Sequence, residues 1–436
     1  MSPRFDVNPA VLRAVLSPAQ RDLLNAAADA ARFVGGDAYL VGGPVRDLLL
    51  GASYLHDLDL MTTTDARVVA ADFARRVHGV VEKTTEFGTA TVTAPTADGS
   101  ASLDFATART ETYPRPGALP VTVFPAPTVP DDLKRRDFTI NAMALPLMSA
   151  AFGPLLDPFN GLNDLRAGLI RVLHDASFRD DPTRLYRGAR YAARYHYTFE
   201  PHTAAFAETA IHDRYLSTIS PARKRREIER GMREPDAAAC FAVSDTYGLL
   251  QATSPTLVWN DRIAERIASL TIMMRQHDTD KANVFALWPL WAAFVLHADE
   301  SAATATMQSL FTDLAITETA VQAPIRLLAR AFGAWQADTI TSETENSALA
   351  RYFEKLPEWI APIFFPPLTA RLRAFYNRLQ ACHAAPHLDG NDLQLLGIPR
   401  GPSIGKVHTE LRAAWLDERV ETLEDEKGFV HNSVTK

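Results

Sequence analysis

The hydrophobic period of the chain changes once, near Pro158, and that change restricts what it can fold into. Between Tyr39 and Leu145, short β-branched and apolar runs (YLVGG, LHDLDLMT, TATVTAP, SLDFATA) alternate with helical stretches such as DARVVAADFARRV. Runs of period two bounded by turn residues read as strands, and runs of period 3.6 as helices. Beyond Pro158 the strand-type runs stop, and Ala/Leu/Arg-rich helical segments broken by Pro, Gly and Asp continue to the end. The pattern predicts an α+β N-terminal unit, a sheet with helices, followed by an all-α remainder. Residues 10–33 read as one helix, and 422–436 as a polar, frayed end. Six prolines in Thr110–Pro130 predict an extended loop without regular helix.

Bulk properties exclude several classes. The hydrophobic fraction of 47% and charged fraction of 22% are ordinary for a globular protein. No apolar run approaches the ~20 residues that span a bilayer. The first residues, MSPRFDVNPAVLRAVLSPAQRDLL, carry an amphipathic helical period and no signal-peptide core. Cys240 and Cys382 stand in unrelated contexts, so neither a disulfide framework nor a thiolate metal site is expected, which suits a cytoplasmic location. A net charge of −7 rules out a globally basic nucleic-acid binder and leaves room for local basic patches. No internal repeat is evident.

The stretch YLVGGPVRDLLLGASYLHDLDLMTTTDA, Tyr39 to Ala66, concentrates the chemistry. Gly42 and Gly43, between a strand and a helix, let a ligand approach the backbone, with the following amides open to phosphate oxygens. Arg46 lies close enough to reach the same phosphate. On a strand, Asp57 and Asp59 are i and i+2, so both carboxylates leave one face while His56 and Leu58 leave the other. Two hard oxygen ligands suit Mg²⁺, with phosphates and water completing its shell. Taken alone, a D-x-D is more often a solvated edge. Further on, Asp104 in SLDFATAR is a third acid on a strand face, and Arg109 closes that segment. DLKRRDFTINAMAL places Asp137 and Asn141 four residues apart, with Arg135 and Arg136 ahead of them. Asp180, Asp181 and Arg184 open a helix on which Arg184, Arg187, Arg190 and Arg194 recur at spacings of three and four. A second basic cluster, SPARKRREIERGMR, contains Arg223, Lys224, Arg225 and Arg226.

The order of these segments, G-G-x-V-R-D, then h-D-h-D-h, then RRDFTINA, then D-D-x-x-R, resembles the class II tRNA nucleotidyltransferase/poly(A) polymerase family, within the polymerase β-like nucleotidyltransferases. The resemblance is dense from about Gly35 to Arg233 and thin afterwards, apart from a tail-like segment, HLDGNDLQLLGIPRGPSIGKVHTEL. It implies an N-terminal helical segment over 1–36, a nucleotidyltransferase head over 37–158, and a helical neck over 159–235. A helical body over 236–340 and a tail over 341–436 complete the division. It implies template-independent addition of CCA, or part of it, to tRNA 3′ ends from CTP and ATP, with two Mg²⁺ ions and release of pyrophosphate. The implied catalytic residues are Asp57, Asp59 and Asp104, the first two as metal ligands. Gly42, Gly43, Arg46, Arg109, Asp137, Asn141, Asp181, Arg184, Arg187 and Arg190 would bind the nucleotide, and Arg223 to Arg226 the RNA. Where the family has Glu-Asp at its base-reading motif, this chain has Asp180-Asp181.

The base-reading assignment has a physical basis. A carboxylate accepts from the exocyclic amine of cytosine or adenine, and arginine donates to a ring nitrogen or the cytosine carbonyl. Uracil and guanine would set a carbonyl against the carboxylate. Alternatives remain: an A-adding or CC-adding member of a split tRNA system, or a poly(A) polymerase. Against the last stands TTEFGTATV, which lacks the basic run that branch usually carries; against CC-only addition stands the full-length loop 110–130. A small-molecule nucleotidyltransferase has no need of RRDFTINA, and a dead RNA-binding relative no need of both strand aspartates. No protein or membrane partner is implied.

Overall fold

The computed structural model describes residues 6–55, 57–97, 99–123, 125–126, 128–277, 283–297, 300–382 and 384–434. The chain folds into two compact units. One runs to Glu227 and takes in Val243–Ala252; the other comprises Ile228–Ala242 and everything from Thr253.

The first unit opens with two helices, α1 (Pro9–Ala14) and α2 (Pro18–Phe33), instead of the single helix expected over 10–33. Ser17 precedes a proline, which disfavours helical backbone there, and it lies at φ −62° and ψ 155°. Its hydroxyl accepts from Gln20 N at 3.2 Å and so caps the second helix. Strand β1 (Ala38–Val41), α3 (Gly43–Leu49), β2 (Leu58–Thr62), α4 (Ala66–Val77), β3 (Val80–Thr85), β4 (Thr89–Thr96) and β5 (Gly99–Thr107) follow. Next come β6 (Thr110–Thr112), β7 (Val121–Val123), α5 (Val129–Lys134), β8 (Ala144–Met148) and β9 (Ala151–Phe152).

Seven of these strands form one mixed sheet in the order β3-β4-β5-β2-β1-β8-β9. At its centre β2 and β5 run parallel, with Asp59 beside Asp104 and Leu60 beside Phe105 in register. Alternation along β2 therefore sorts two faces. Leu60 and Phe105 share one with Phe73 of α4, whose ring centroid lies 5.1 Å from that of Phe105. Burying such side chains contributes roughly 1.5–3 kcal/mol each. Asp59 and Asp104 leave the sheet on the opposite face.

The proline-rich segment departs from the expected irregular loop. Its β6 and β7 pair as an antiparallel hairpin, because the prolines fall outside Thr110–Thr112 and the β-branched Val121–Val123. Thr128 and Asp131 form a reciprocal capping box with Pro130 in the first turn, so α5 begins inside the same segment. The remainder of this unit holds α6 (Gly161–Ala167), β10 (Leu169–Ile170), α7 (Ser177–Asp180), α8 (Thr183–Tyr195), β11 (Thr198–Phe199), α9 (Pro201–His212) and the start of α10 (Pro221–Met232). Strands β10 and β11 pair in parallel, although only helix was expected beyond Pro158. His196 ends α8 in the left-handed region at φ 56° and turns the β-prone Thr198 and Phe199 back along β10.

The second unit is helical, with no strand among its described residues. Trp291, Phe294, Phe332, Phe353, Phe364 and Phe365 are fully buried in its core. The end expected to fray is a helix, Leu423–Val434, with Glu426 and Val430 completely buried. Glu426 explains its docking. Its carboxylate accepts from His387 N (2.8 Å), Leu388 N (2.9 Å) and Trp415 Nε1 (2.7 Å), and contacts His387 Nδ1 at 2.9 Å. Burial alone would raise its pKa, but these donors hold it below the ordinary glutamate value.

Glu426→Ala leaves three donors in a buried site and should cost on the order of 3 kcal/mol at pH 7, measured by chemical denaturation. The wild-type advantage should be complete above a pH of about 4.3, the ordinary glutamate value. It should shrink as the pH falls through the depressed folded value, so the two unfolding midpoints converge in acid.

Candidate active site

A cavity of about 780 Å³ opens in the first unit. The β1–α3 turn brings Gly42, Gly43 and Arg46 to it, and the approach to β2 brings Asp57 and Asp59. Asp137 and Asn141 enter after α5, and Asp181, Arg184 and Arg187 from the start of α8. Residues separated by up to 152 positions, Gly42 to Arg194, thus share one wall system.

Asp59 sits on β2, whereas Asp57 lies just before the strand and is exposed; His56 is outside the described residues. Asp104, the in-register neighbour of Asp59 on β5, accepts from Thr91 Oγ1 at 2.5 Å and does not line the cavity itself. Burial pushes the Asp59 carboxyl up to about 6. Arg136 and Arg46 pull it down, but Asp104 and Asp57 add to the rise. Asp59 is thus a carboxylate that its own surroundings leave undercompensated, although among the described residues no three acids, histidines or cysteines gather as a metal site.

The glycine turn is built differently from its simplest reading. Gly42 lies at φ 72°, and its N–H donates to Met143 O at 3.1 Å, so the sheet uses that amide. A Cβ there would come within 2.8 Å of Arg136 Nη1, so the missing side chain lets that guanidinium lie against the turn. Arg46 is buried. Its Nη1 donates to Asn141 Oδ1 at 2.5 Å and its Nε to Asp47 Oδ1 at 2.9 Å. Its guanidinium lies over the rings of Tyr195, 4.9 Å from the centroid, and Tyr191, 5.3 Å. Burial would lower its pKa, yet Asp47 and the two tyrosines raise it.

Asn141 continues the chain of contacts, its Nδ2 donating to Asp137 Oδ1 at 3.0 Å. The other Asp137 oxygen accepts Arg187 Nε at 2.7 Å and Nη2 at 2.6 Å. Burial opposes ionisation of Asp137, but Arg187 and Asn141 prevail and bring it down to about 2. On the far wall, Arg184 is buried, with Nη1 donating to Ser177 Oγ (2.6 Å) and Nη2 to Arg135 O (2.7 Å). Asp181 accepts through Oδ1 from Thr183 N (3.1 Å), Thr183 Oγ1 (2.7 Å) and Arg223 Nη2 (3.0 Å). No described hydrogen bond uses its Oδ2. Asp181 thus combines a contact to the first residue of α8 with a place in the cavity lining.

Other expected residues are placed elsewhere. Arg190 is buried against Glu227, 3.0 Å, and does not line the cavity. It lies six residues past Arg184, and six steps of ~100° carry it well round the helix. Arg109 is held by Glu111, Nη2 to Oε1 2.9 Å, and likewise stays outside the lining. Asp180 is also off the cavity, beside Arg179 at 3.5 Å. The cluster Arg223 to Arg226 is not one basic surface: Arg225 is buried, Arg223 and Lys224 are half-buried, and Arg226 alone is exposed.

Some cavity residues were missed by the sequence reading: Asp47, Tyr54, Glu111, Tyr113 and Tyr191; Arg194, named in the arginine stripe, does line it. For Tyr191 a signal existed, the aromatic interleaving of RLYRGARYAARY. Nothing local distinguishes Glu111 and Tyr113 from their proline-rich surroundings.

Fold and cavity together define a protein with a nucleotidyltransferase-type head and a helical extension. Residues 38–171 match the Poly A polymerase head domain. The chain is 42% identical over 216 residues to an A-adding tRNA nucleotidyltransferase of Halalkalibacterium halodurans, covering 49% of each. It is 30% identical over 403 residues to another of Geobacter sulfurreducens, covering 89% of this chain and 44% of that one. It therefore spans about half the length of these curated relatives. Its fold is similar to that of a CCA-adding enzyme in an apo form, with TM-score 0.80 and 24% identity over 97% of this chain and 98% of that one. The chain thus carries a Poly A polymerase head domain, is similar over part of their length to tRNA nucleotidyltransferases, and shares the fold of a CCA-adding enzyme.

Arg187→Met would strand the Asp137 carboxylate and should cost about 3–5 kcal/mol, seen as a lower urea midpoint at pH 7. In the wild type, the Asp137 contribution should be full above the ordinary aspartate value, about 3.9. It should be lost as pH falls through about 2. The variant should show a smaller acid limb, since Asn141 and Arg184 still favour the Asp137 carboxylate.

Proposed function

We propose that the chain is a template-independent RNA nucleotidyltransferase that completes the 3′-CCA end of tRNA, wholly or in part, from CTP and ATP. The observation that carries this reading is that Asp57 and Asp59 open onto the same cavity as the Asp181 and Arg184 pair. A phosphate-handling pole and a base-selecting pole thus lie within one nucleotide-sized space.

Asp57 and Asp59 would hold two Mg²⁺ ions, with Asp104 beside them as a third acid. When bound, these ions supply a lowered pKa for the RNA 3′-OH and charge neutralisation as pyrophosphate leaves. The undercompensated Asp59 fits them. The protein's own part is positioning. Arg136, next to the glycine turn, brings positive charge to the triphosphate side, and Gly42 and Gly43 keep that side open. Asp137 and Asn141 present a preorganised polar wall to the ribose, held rigid by Arg187 and Arg46. Asp181 Oδ2 would accept from the exocyclic amine of cytosine or adenine, and Arg184 would donate to the base edge. Uracil and guanine offer a carbonyl to Asp181 and are rejected. Lys224 and Arg226 would meet RNA phosphates; duplex tRNA is recognised mainly by shape and backbone. A cytoplasmic site of action accords with this role.

A second reading, addition of the terminal A alone, is favoured by the names of the relatives from Halalkalibacterium halodurans and Geobacter sulfurreducens, both A-adding tRNA nucleotidyltransferases. Three tRNA transcripts, ending before CCA, after C and after CC, separate the readings when each is given Mg²⁺ with CTP, ATP or both. Extension of all three to CCA and then a stop is expected of a full CCA-adding enzyme. Extension of only the CC-ended transcript, with ATP, makes it the A-adding member of a split system. Long A tails on any RNA would make it a poly(A) polymerase. Asp59→Ala should lower incorporation by at least on the order of a hundred- to a thousand-fold. Binding of tRNA should persist in a gel-shift assay; retained turnover would overturn the metal assignment.

A further inference from the structure

Gly117 stands between β6 and β7 in the proline-rich hairpin, yet it is buried, while Leu119 two residues on is 75% exposed. Three contacts fix it to the helical part of the same unit. Its N–H donates to Arg179 O at 3.2 Å. Its carbonyl accepts from Arg223 Nη1 at 2.7 Å. Its Cα faces Thr218 so closely that a Cβ would lie 2.0 Å from Thr218 Oγ1, and its φ of +68° is one that glycine adopts readily. The other hand of the same guanidinium, Arg223 Nη2, holds Asp181 Oδ1 at 3.0 Å. One side chain therefore joins the hairpin backbone to the carboxylate assigned to base selection.

The near side of the hairpin reaches the same place. Tyr113, just after β6, lines the cavity with Asp181 and Arg184, and its hydroxyl donates to Glu111 Oε2 at 3.0 Å. Glu111 in turn accepts from Arg109 and Arg135, and the Arg135 carbonyl accepts from Arg184. Hairpin and base-selecting pair are thus tied at two points, by Arg223 on the aspartate side and by the Glu111–Arg135 link on the arginine side.

We infer that Arg223 is a positioning residue for nucleotide selection: it clamps the hairpin at Gly117 and holds Asp181 in the orientation that accepts an amino group. This rests on the base-selecting role of Asp181 proposed above. Arg223 was expected to bind RNA, but a guanidinium with both ends engaged inside the fold is committed to geometry. Its planar fork suits this bridge, since two acceptors lie on separate segments. Lysine, a single point of charge, could keep one contact and not both.

The test compares wild type, Arg223→Ala, Arg223→Lys and Gly117→Ala. The clamp predicts that Arg223→Ala lowers the ratio of kcat/KM for the correct nucleotide over UTP by about ten-fold, equivalent to ~1.4 kcal/mol. Arg223→Lys should recover part of that ratio. Gly117→Ala, which disturbs the hairpin without touching Asp181, should lower it in the same direction. A structural role alone would reduce all nucleotides equally. Independently, amide hydrogen exchange across residues 114–120 should quicken in Arg223→Ala at pH 7 without nucleotide. A uniform loss, or unchanged hairpin exchange, overturns the inference. Absence of discrimination in the wild type would instead overturn the base-selecting reading, and the exchange measurement would still decide whether the clamp exists.

Discussion

A largely buried run of alternating charge and amide, from half-buried Arg187 through Asp137 and Asn141 to Arg46, joins α8 to the β1–α3 turn, and the cavity depends on it. Each link would be costly alone. A buried aspartate without a cation or a buried arginine without an acceptor faces several kcal/mol of desolvation. Together they satisfy one another, and the tyrosines of α8 cover the arginine at its end. Both walls of the cavity then stand in fixed relation, because moving either would expose an unpaired group. Rigidity of this kind suits a site that works by positioning, where groups must be placed before a ligand arrives.

The same electrostatics distinguish scaffold from working groups. Asp137 is driven down to about 2 because its partners outweigh its burial. Asp59 is driven up to about 6, because two neighbouring acids reinforce its burial and Arg136 and Arg46 do not offset them. The first group is neutralised within the protein; the second is not. The resemblance implied different roles for them, but residue type alone does not foretell opposite shifts, as each is an aspartate next to an apolar residue in a motif-like run. The difference arises from long-range partners, Arg187 in one case and Asp104 in the other.

Much of the head was legible because its signals are local. Alternation in LHDLDLMT and SLDFATA located β2 and β5, and the Gly-Gly pair located the turn. What escaped was set by tertiary context. The two-residue strands β10 and β11 are too short to carry a period, and only their pairing makes them strands. The final helix looked polar because its decisive residue, Glu426, is charged; its burial follows from donors on segments far away in sequence. Arg190 misled for a simpler reason. Spacings of three and four keep neighbours together, but two successive steps of three drift away from the starting face. Roles of the individual site residues were suggested by family resemblance and by residue type, and geometry supplies only the setting for them.

Charge sorting matters more for this cavity than the chain's net charge of −7. The cavity lining contains six arginines (46, 135, 136, 184, 187, 194) and six acids (Asp47, Asp57, Asp59, Glu111, Asp137, Asp181), so it is balanced in sum. It is not balanced in space. Asp47, Glu111, Asp137 and Asp181 each form an ion pair with an arginine, whereas no described ion pair involves Asp57 or Asp59. An acidic pole remains at one end, and guanidinium-lined walls surround the rest. Net charge bears on solubility and long-range attraction; the distribution inside the cavity governs what binds.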